Sequence, residues 1–234
     1  MAAMPKVVIG MPVGSGYVPW ETSMSILATV RTLDKEGLKF KIEAPVGSSI
    51  VQWARSNIAE AFLKTDFTHL FWIDSDIVWS PDDFIRLLGF GAHLDIVGAT
   101  YPFKKPGVAT FCLNTYEDEQ GNLEANGFGC IRMRSFAIGF TLVKRAVIEK
   151  VAAGKEWMHD PINNIKYRDF FRVDRNSRGE PRGEDIAFFD DAREAGFTPW
   201  LDPSIKLGHV GKHVFYGDPI EALGLENFAK EIPK

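Results

Sequence analysis

Two aspartates one residue apart, Asp74 and Asp76, end an apolar run in "HLFWIDSDIVWSPDDF" (69–84). Carboxylates that close repel each other, and both stay ionised only beside a cation. Hard oxygen ligands of this kind suit magnesium or manganese, which in turn bind phosphate oxygens. Arg55 is a second chemical oddity. It falls inside the apolar stripe of a helical segment, between Val51 and the Ile58–Phe62 positions. A buried unpaired guanidinium is expensive, so it needs an anion. A diphosphate, Asp66 and Asp74 are the candidates. Asp82 and Asp83 read more plainly, as first-turn acids of a helix capped by Ser80 with Pro81 at its first position.

The elements that must hold these groups follow from periodicity. "KVVIGMPV" (6–13), 40–46, "THLFWIDSD" (68–76) and "DIVGATYP" (95–102) read as strands. Between them lie helical patterns: 21–37, with Met24, Leu27, Val30 and Leu33 on one face; a Ser-capped segment with a stripe of Val51, Ala54, Ile58 and Phe62; and 80–92. Strands alternating with helices over short connections predict an α/β fold with a mostly parallel sheet covered on both faces. Strand alternation would aim Asp74 and Asp76 the same way, at the carboxyl edge where such sheets bind ligands. The pattern changes after 107. Strand-like pieces and turns fill 108–142, and helices are expected at 144–154 and 184–196. A polar, turn-rich stretch covers 159–183. This divides a single domain into 1–107, 108–216 and a tail, 217–234.

The order of segments resembles the GT-A fold glycosyltransferases, which use nucleotide-sugar donors. "DSD" followed by "WSPDDFIRLL" is similar to their DxD segment. "AIGFTLVKRAVIEK" is similar to the Gly-containing strand and helix beneath their acceptor site. "RGEDIAFFDDAREAGFTPWLDPSIKLGHVGKHVF" is similar to their acidic pair, strand and late histidine. The resemblance spans roughly residues 5–216 and implies a Rossmann-like GT-A domain with a small mixed second sheet. It implies a metal-dependent hexosyltransferase, inverting, with a UDP-sugar donor and a hydroxyl acceptor. It also assigns roles. Asp74 lies near the ribose and the metal, Asp76 is the main metal ligand, and His209 completes the metal site. Asp185, beside Glu184, is the catalytic base. A carboxylate at a helix N-terminus is held ionised by the free N–H groups there and can take a proton from a hydroxyl. The HxxxH spacing of His209 and His213 bridges a metal only on a helix, which Gly208 and Gly211 argue against; His209 acts alone. Donor contacts are expected from Pro12, Val13 and Tyr17 after the first strand, from Arg55, Asp74 and Ser75, and from Lys104. Tyr101 and Lys105 lie beside Lys104 in the same loop.

Other chemistries fit less well. In "MPVGSGYVP" the dinucleotide fingerprint fails, with Pro19 at its third glycine position. "LFWIDSDIV" also resembles the first motif of the haloacid dehalogenase phosphatases, with Asp74 as nucleophile and Asp76 as general acid. That motif normally ends a first strand, however, and here two strand–helix units precede it. A nucleotide-sugar-binding module without turnover is the non-enzymatic alternative. The chain has 234 residues, 45% hydrophobic and 25% charged, with net charge −4 and two cysteines. The charge argues against general polyanion binding. The cysteine usage and the lack of roughly 18 uninterrupted apolar residues point to a cytoplasmic protein. One segment, 164–183, is locally basic. It is expected either to close over the donor or to meet an anionic acceptor such as a hydroxymethylated DNA base, with glycan and protein as the other acceptors. The tail is the expected route to any oligomer.

Overall fold

A computed structural model of the chain describes residues 4–117, 121–160, 164–175 and 178–225. The first half runs β1 (Lys6–Gly10), α1 (Trp20–Lys35), β2 (Lys39–Glu43), α2 (Val51–Leu63), β3 (His69–Ile73), β4 (Ile77–Val78), α3 (Pro81–Phe90) and β5 (Ile96–Gly98). The second half runs β6 (Leu113–Thr115), β7 (Ile131–Phe136), β8 (Phe140–Lys144), α4 (Arg145–Ala152), β9 (Trp157–Asp160), β10 (Ile165–Arg168), β11 (Asp174–Arg175), β12 (Pro181–Arg182) and α5 (Glu184–Glu194). It ends with β13 (Pro199–Leu201), β14 (Gly208–Val210), β15 (Val214–Tyr216) and α6 (Pro219–Ala222).

The central sheet has the order β2-β1-β3-β8-β5-β13-β7-β6. The expectation of a mostly parallel sheet is overturned, because the sheet is mixed. β2, β1 and β3 are parallel, as are β5 and β13. β8, from the second half, inserts antiparallel between β3 and β5, and β7 runs antiparallel to β13 and β6. The β8 sequence, "FTLVK", carries no mark of strand direction, so periodicity could not place it. The small second sheet, β15-β14-β4, is antiparallel throughout.

Both faces of the large sheet are covered, as its apolar strands require. β3 alternates cleanly. Leu70 and Trp72 enter the core beneath α2, α4 and α5, while Phe71 and Ile73 enter the core beneath α1 and α3. The Phe71 ring stacks on Phe84 of α3 at 4.2 Å, and Trp72 meets Phe171 edge-on at 5.2 Å. Each such side chain contributes about 1.5–3 kcal/mol by leaving water.

The helices depart from expectation in two places. α1 buries Thr22, Ser25, Thr29 and Leu33, leaving Met24 and Leu27 at 44% and 56% exposure. Trp79 explains the rotation. Ser25 Oγ donates to its carbonyl at 2.8 Å, and its indole N–H donates to Thr29 Oγ1 at 2.9 Å. Ser25 and Thr29 are thereby satisfied inside the core, while the Thr22 hydroxyl is buried without a partner. α2 has no side-chain cap because Ile50, not a serine, stands at its N-cap; the Ser48 hydroxyl donates to the Ile50 carbonyl at 3.0 Å. α3 behaves as read: Ser80 and Asp83 form a reciprocal capping box, with Pro81 first, worth about 1 kcal/mol.

Candidate active site

The regular part of β3 stops at Ile73, and Asp74-Ser75-Asp76-Ile77 forms a turn closed by Ile77 N–H on the Asp74 carbonyl at 3.3 Å. Strand alternation therefore does not extend through the two acids, and they face different partners. Asp74 Oδ1 accepts from Arg55 Nη2 at 2.7 Å, and Oδ2 accepts from the Tyr101 hydroxyl at 2.7 Å. Asp76 pairs with the Lys104 ammonium through Oδ2, and its Oδ1 lies 3.5 Å from His209 Nε2. Ser75, half-buried, sits between them at the turn.

The second sheet brings His209 to Asp76. β4 follows the turn directly and pairs with β14, so that His209 lies opposite Ile77, and Val210 N–H donates to the Asp76 carbonyl at 2.8 Å. The His209 ring is oriented by Pro102, whose carbonyl lies 2.8 Å from Nδ1. A carbonyl only accepts, so Nδ1 carries the proton and Nε2 presents either a lone pair or a second proton to Asp76. This is the arrangement that typically orients a metal-ligating histidine. His213 packs its ring on Phe215 at 4.0 Å, on the far side of the β14–β15 turn.

Arg55 is only 3% exposed and joins the two halves of the molecule. Besides Asp74 it binds Glu184 Oε1 at 2.9 Å and the Asp185 carboxylate, both from the first turn of α5. The sequence-level alternatives thus resolve to Asp74 rather than Asp66, which pairs with Lys6. The guanidinium lies over the Phe171 ring at 5.9 Å. Burial opposes its charge, but the carboxylates of Asp185 and Asp74 more than compensate and hold it protonated. Its Nε–H is buried without a partner.

The site sets its acids apart electrostatically. Burial pushes Asp185 up to about 6; Arg55 opposes the rise, Glu184 and Asp74 add to it, and the Ile138 N–H, 3.3 Å from Oδ2, lowers it. Burial also acts on Asp76, yet the bonds from His209 and Lys104 hold its carboxyl below the usual range. The Tyr101 hydroxyl is pushed well above its ordinary value by burial and by Asp74 and Asp185, so it remains a donor.

Gly139, the glycine of "AIGFTLVK", touches Asp74, a role the sequence reading did not assign it. Its carbonyl accepts the Asp74 N–H at 2.9 Å. A β-carbon built there would stand 2.2 Å from Asp74 Oδ2 and 2.4 Å from the Tyr101 hydroxyl, so only glycine lets the carboxylate sit where it does. A glycine one residue before a strand was the available signal, though glycines in such places are common.

The expected ligand trio is not assembled as one set. Among the described residues no three His, Cys, Asp or Glu side chains converge on a metal position. Asp74 commits both oxygens to Arg55 and Tyr101. Asp76 and His209 remain as the cation-facing pair, and their chemistry fits a divalent ion: one hard carboxylate oxygen and one imidazole held by its far nitrogen. Pro12 and Val13 are buried in the loop after β1, where Val13 bridges to Val46, whereas Tyr17 is 72% exposed.

Three arginines of the basic segment are paired, while Lys166 and Arg175 are exposed. Arg168 forms a two-pronged pair with Glu60 at 3.0 Å on both arms. Arg172 bridges Asp174 and Asp191, and Arg182 bridges Asp174 and Asp190. These arginines are neutralised by α2, α5 and β11, so they offer little free charge to a polyanion. Asp190 pairs with Arg182 and Arg193, and Asp191 with Lys155 and Arg172. Residues 161–163 and 176–177 of this stretch, and 226–234 of the tail, lie outside the described residues. Leu223 and Leu225 of the tail pack on the core. No described helix is long and apolar enough to cross a membrane.

No family model and no curated protein matches the sequence. Solved structures do. "A197 from STIV" superposes with a TM-score of 0.52 at 19% identity, covering 88% of this chain and 86% of that one. GalNAc-T7, solved with UDP, GalNAc and Mn2+, superposes with a TM-score of 0.53 at 10% identity. The match covers 90% of this chain but only 45% of GalNAc-T7, so the chain spans less than half of that protein. At these identities the likeness concerns the fold alone: the chain has a GT-A-like fold.

Proposed function

We propose that the protein is a metal-dependent glycosyltransferase that moves a hexose from a UDP-sugar to a hydroxyl acceptor with inversion. One observation carries the reading. Five residues separated by up to 135 positions, Asp74, Asp76, Glu184, Asp185 and His209, meet at one edge of the sheet, with Arg55 and Tyr101 dividing their roles. Asp185 serves as the base. A carboxyl poised at about 6 is largely ionised at neutral pH, yet basic enough to accept a proton from an attacking hydroxyl. Arg55 keeps that carboxylate aimed and in register with Asp74, which lies at the donor ribose. Asp76 and His209 would hold the divalent ion, which when bound withdraws charge from the departing diphosphate. Lys104 lies beside that diphosphate, and Pro12, Val13, Tyr17 and Ser75 border the nucleoside. GalNAc-T7's crystallisation with UDP and Mn2+ supports this choice of donor and ion.

The test is a panel of nucleotide sugars scored for nucleoside diphosphate release, with manganese and with EDTA. UDP release that needs manganese, and a fall in kcat of about 10²–10⁴-fold in Asp185→Asn at retained UDP affinity, is the expected result. Because Asp185 must be ionised, the rate should also fall as pH drops through about 6. Turnover of p-nitrophenyl phosphate that disappears in Asp74→Asn would refute the proposal.

A further inference from the structure

One short segment touches every part of the cation-facing group. From Tyr101 to Lys104, the Tyr101 hydroxyl holds Asp74, its ring meets His209 edge-on at 4.8 Å, the Pro102 carbonyl orients His209, and Lys104 pairs with Asp76. The segment is itself anchored. Phe103 N–H donates to the Thr110 carbonyl at 2.8 Å, and Pro102 bridges to Phe111. Lys104 has a seat of its own. Its stem passes over Gly211, where an added β-carbon would lie 3.3 Å from Cδ. A lysine beside a lone carboxylate on a surface is unremarkable. Here the carboxylate also faces a histidine whose tautomer is fixed by the same segment.

We infer that Lys104 is the resident cation of the Asp76–His209 pair, that a divalent ion and the Lys104 ammonium exclude each other there, and that the displaced ammonium then contacts the nucleoside diphosphate. The inference rests on the metal-site reading of Asp76 and His209. Its physical basis is charge. Two cations within contact distance of one carboxylate repel strongly when partly desolvated. A half-exposed ion pair is weak, so a metal can break it at modest cost. An ammonium on a flexible four-carbon stem can swing to a phosphate without moving its backbone.

The consequence is a pair of opposite effects in one variant. In Lys104→Met, Mn2+ measured alone by electron paramagnetic resonance should bind about two- to five-fold tighter, because its competitor is gone. UDP measured by calorimetry at saturating Mn2+ should bind more weakly, by about three- to ten-fold, because a phosphate contact is lost. Lys105→Met removes the same charge from the adjacent, exposed residue and should change neither. Asp76→Asn should lose Mn2+ binding altogether. Mn2+ bound by wild type and Lys104→Met with equal affinity overturns the inference and leaves the metal site standing. Mn2+ binding that is undetectable in wild type and Lys104→Met, or unchanged in Asp76→Asn, overturns both. Equal effects from Lys104→Met and Lys105→Met reduce the result to net charge and also overturn it.

Discussion

Arg55→Met is the most exacting test of how the site is held together. Methionine keeps the helix propensity and most of the volume of the stem, but leaves Asp74, Glu184 and Asp185 clustered without their common cation. Removing one partner of a buried ionic cluster costs about 3–5 kcal/mol. For a chain of this length that lowers Tm by roughly 6–20 °C. The loss must also depend on pH. Asp185 is raised from 3.8 to about 6 in the folded state. The native state therefore keeps a proton that the unfolded state releases. Stability from this group is complete below 3.8 and is lost as pH climbs through 6, by roughly 3 kcal/mol in all. Without Arg55 the folded value rises further, and each added unit costs about 1.4 kcal/mol above it. Urea unfolding at pH 5 and pH 8 should then give a much larger destabilisation at pH 8. A loss below about 1 kcal/mol, or one equal at the two pH values, would mean that the triple pairing contributes nothing, and the electrostatic account would fail.

Two other substitutions probe positions that act through packing. In Gly139→Ala the new methyl would start 2.2 Å from Asp74 Oδ2, whereas ordinary contact begins near 3.4 Å. The carboxylate must retreat by roughly 1 Å, with a stability cost of about 1–3 kcal/mol and a fall in transfer rate of about 100-fold; a melting curve and the diphosphate-release assay check both. Thr29→Ala leaves the buried Trp79 indole N–H without its acceptor. Denaturant titration should register a loss of about 1–3 kcal/mol, with nucleotide affinity unchanged.

The residues that gather at the candidate site were more legible in the sequence than the architecture around them. Asp74 and Asp76 stood out because an apolar strand ended on them, and Arg55 because a charge interrupted an apolar stripe. Their partners did not stand out. Which acid faces Arg55 and which faces Lys104 depends on a turn, and period-2 alternation says nothing once the strand has stopped at Ile73. The buried face of α1 was misread because Ser25 and Thr29 become good core residues only when Trp79 supplies their hydrogen bonds. The charge count of 164–183 suggested a free basic surface. Three of its arginines, Arg168, Arg172 and Arg182, are paired with Glu60, Asp191 and Asp190, which lie elsewhere in the chain or on another element. Alternating strands and helices describe the first half well and imply a mostly parallel sheet, and nothing in "FTLVK" announces that β8 will slot into the middle of it.

That insertion has a consequence for synthesis. β3, buried at every position, can pair with β1 as soon as it is made, but its other edge waits for Phe140, 67 positions after Ile73. At cellular elongation speeds the wait lasts roughly 3–13 s. Throughout it this fully buried strand presents an open row of backbone donors and acceptors, the feature that invites pairing between chains. Yield in a cell should therefore depend on elongation speed and on chaperone supply across residues 74–144, and truncation near residue 107 should give an aggregating fragment instead of a nucleotide-binding half-domain.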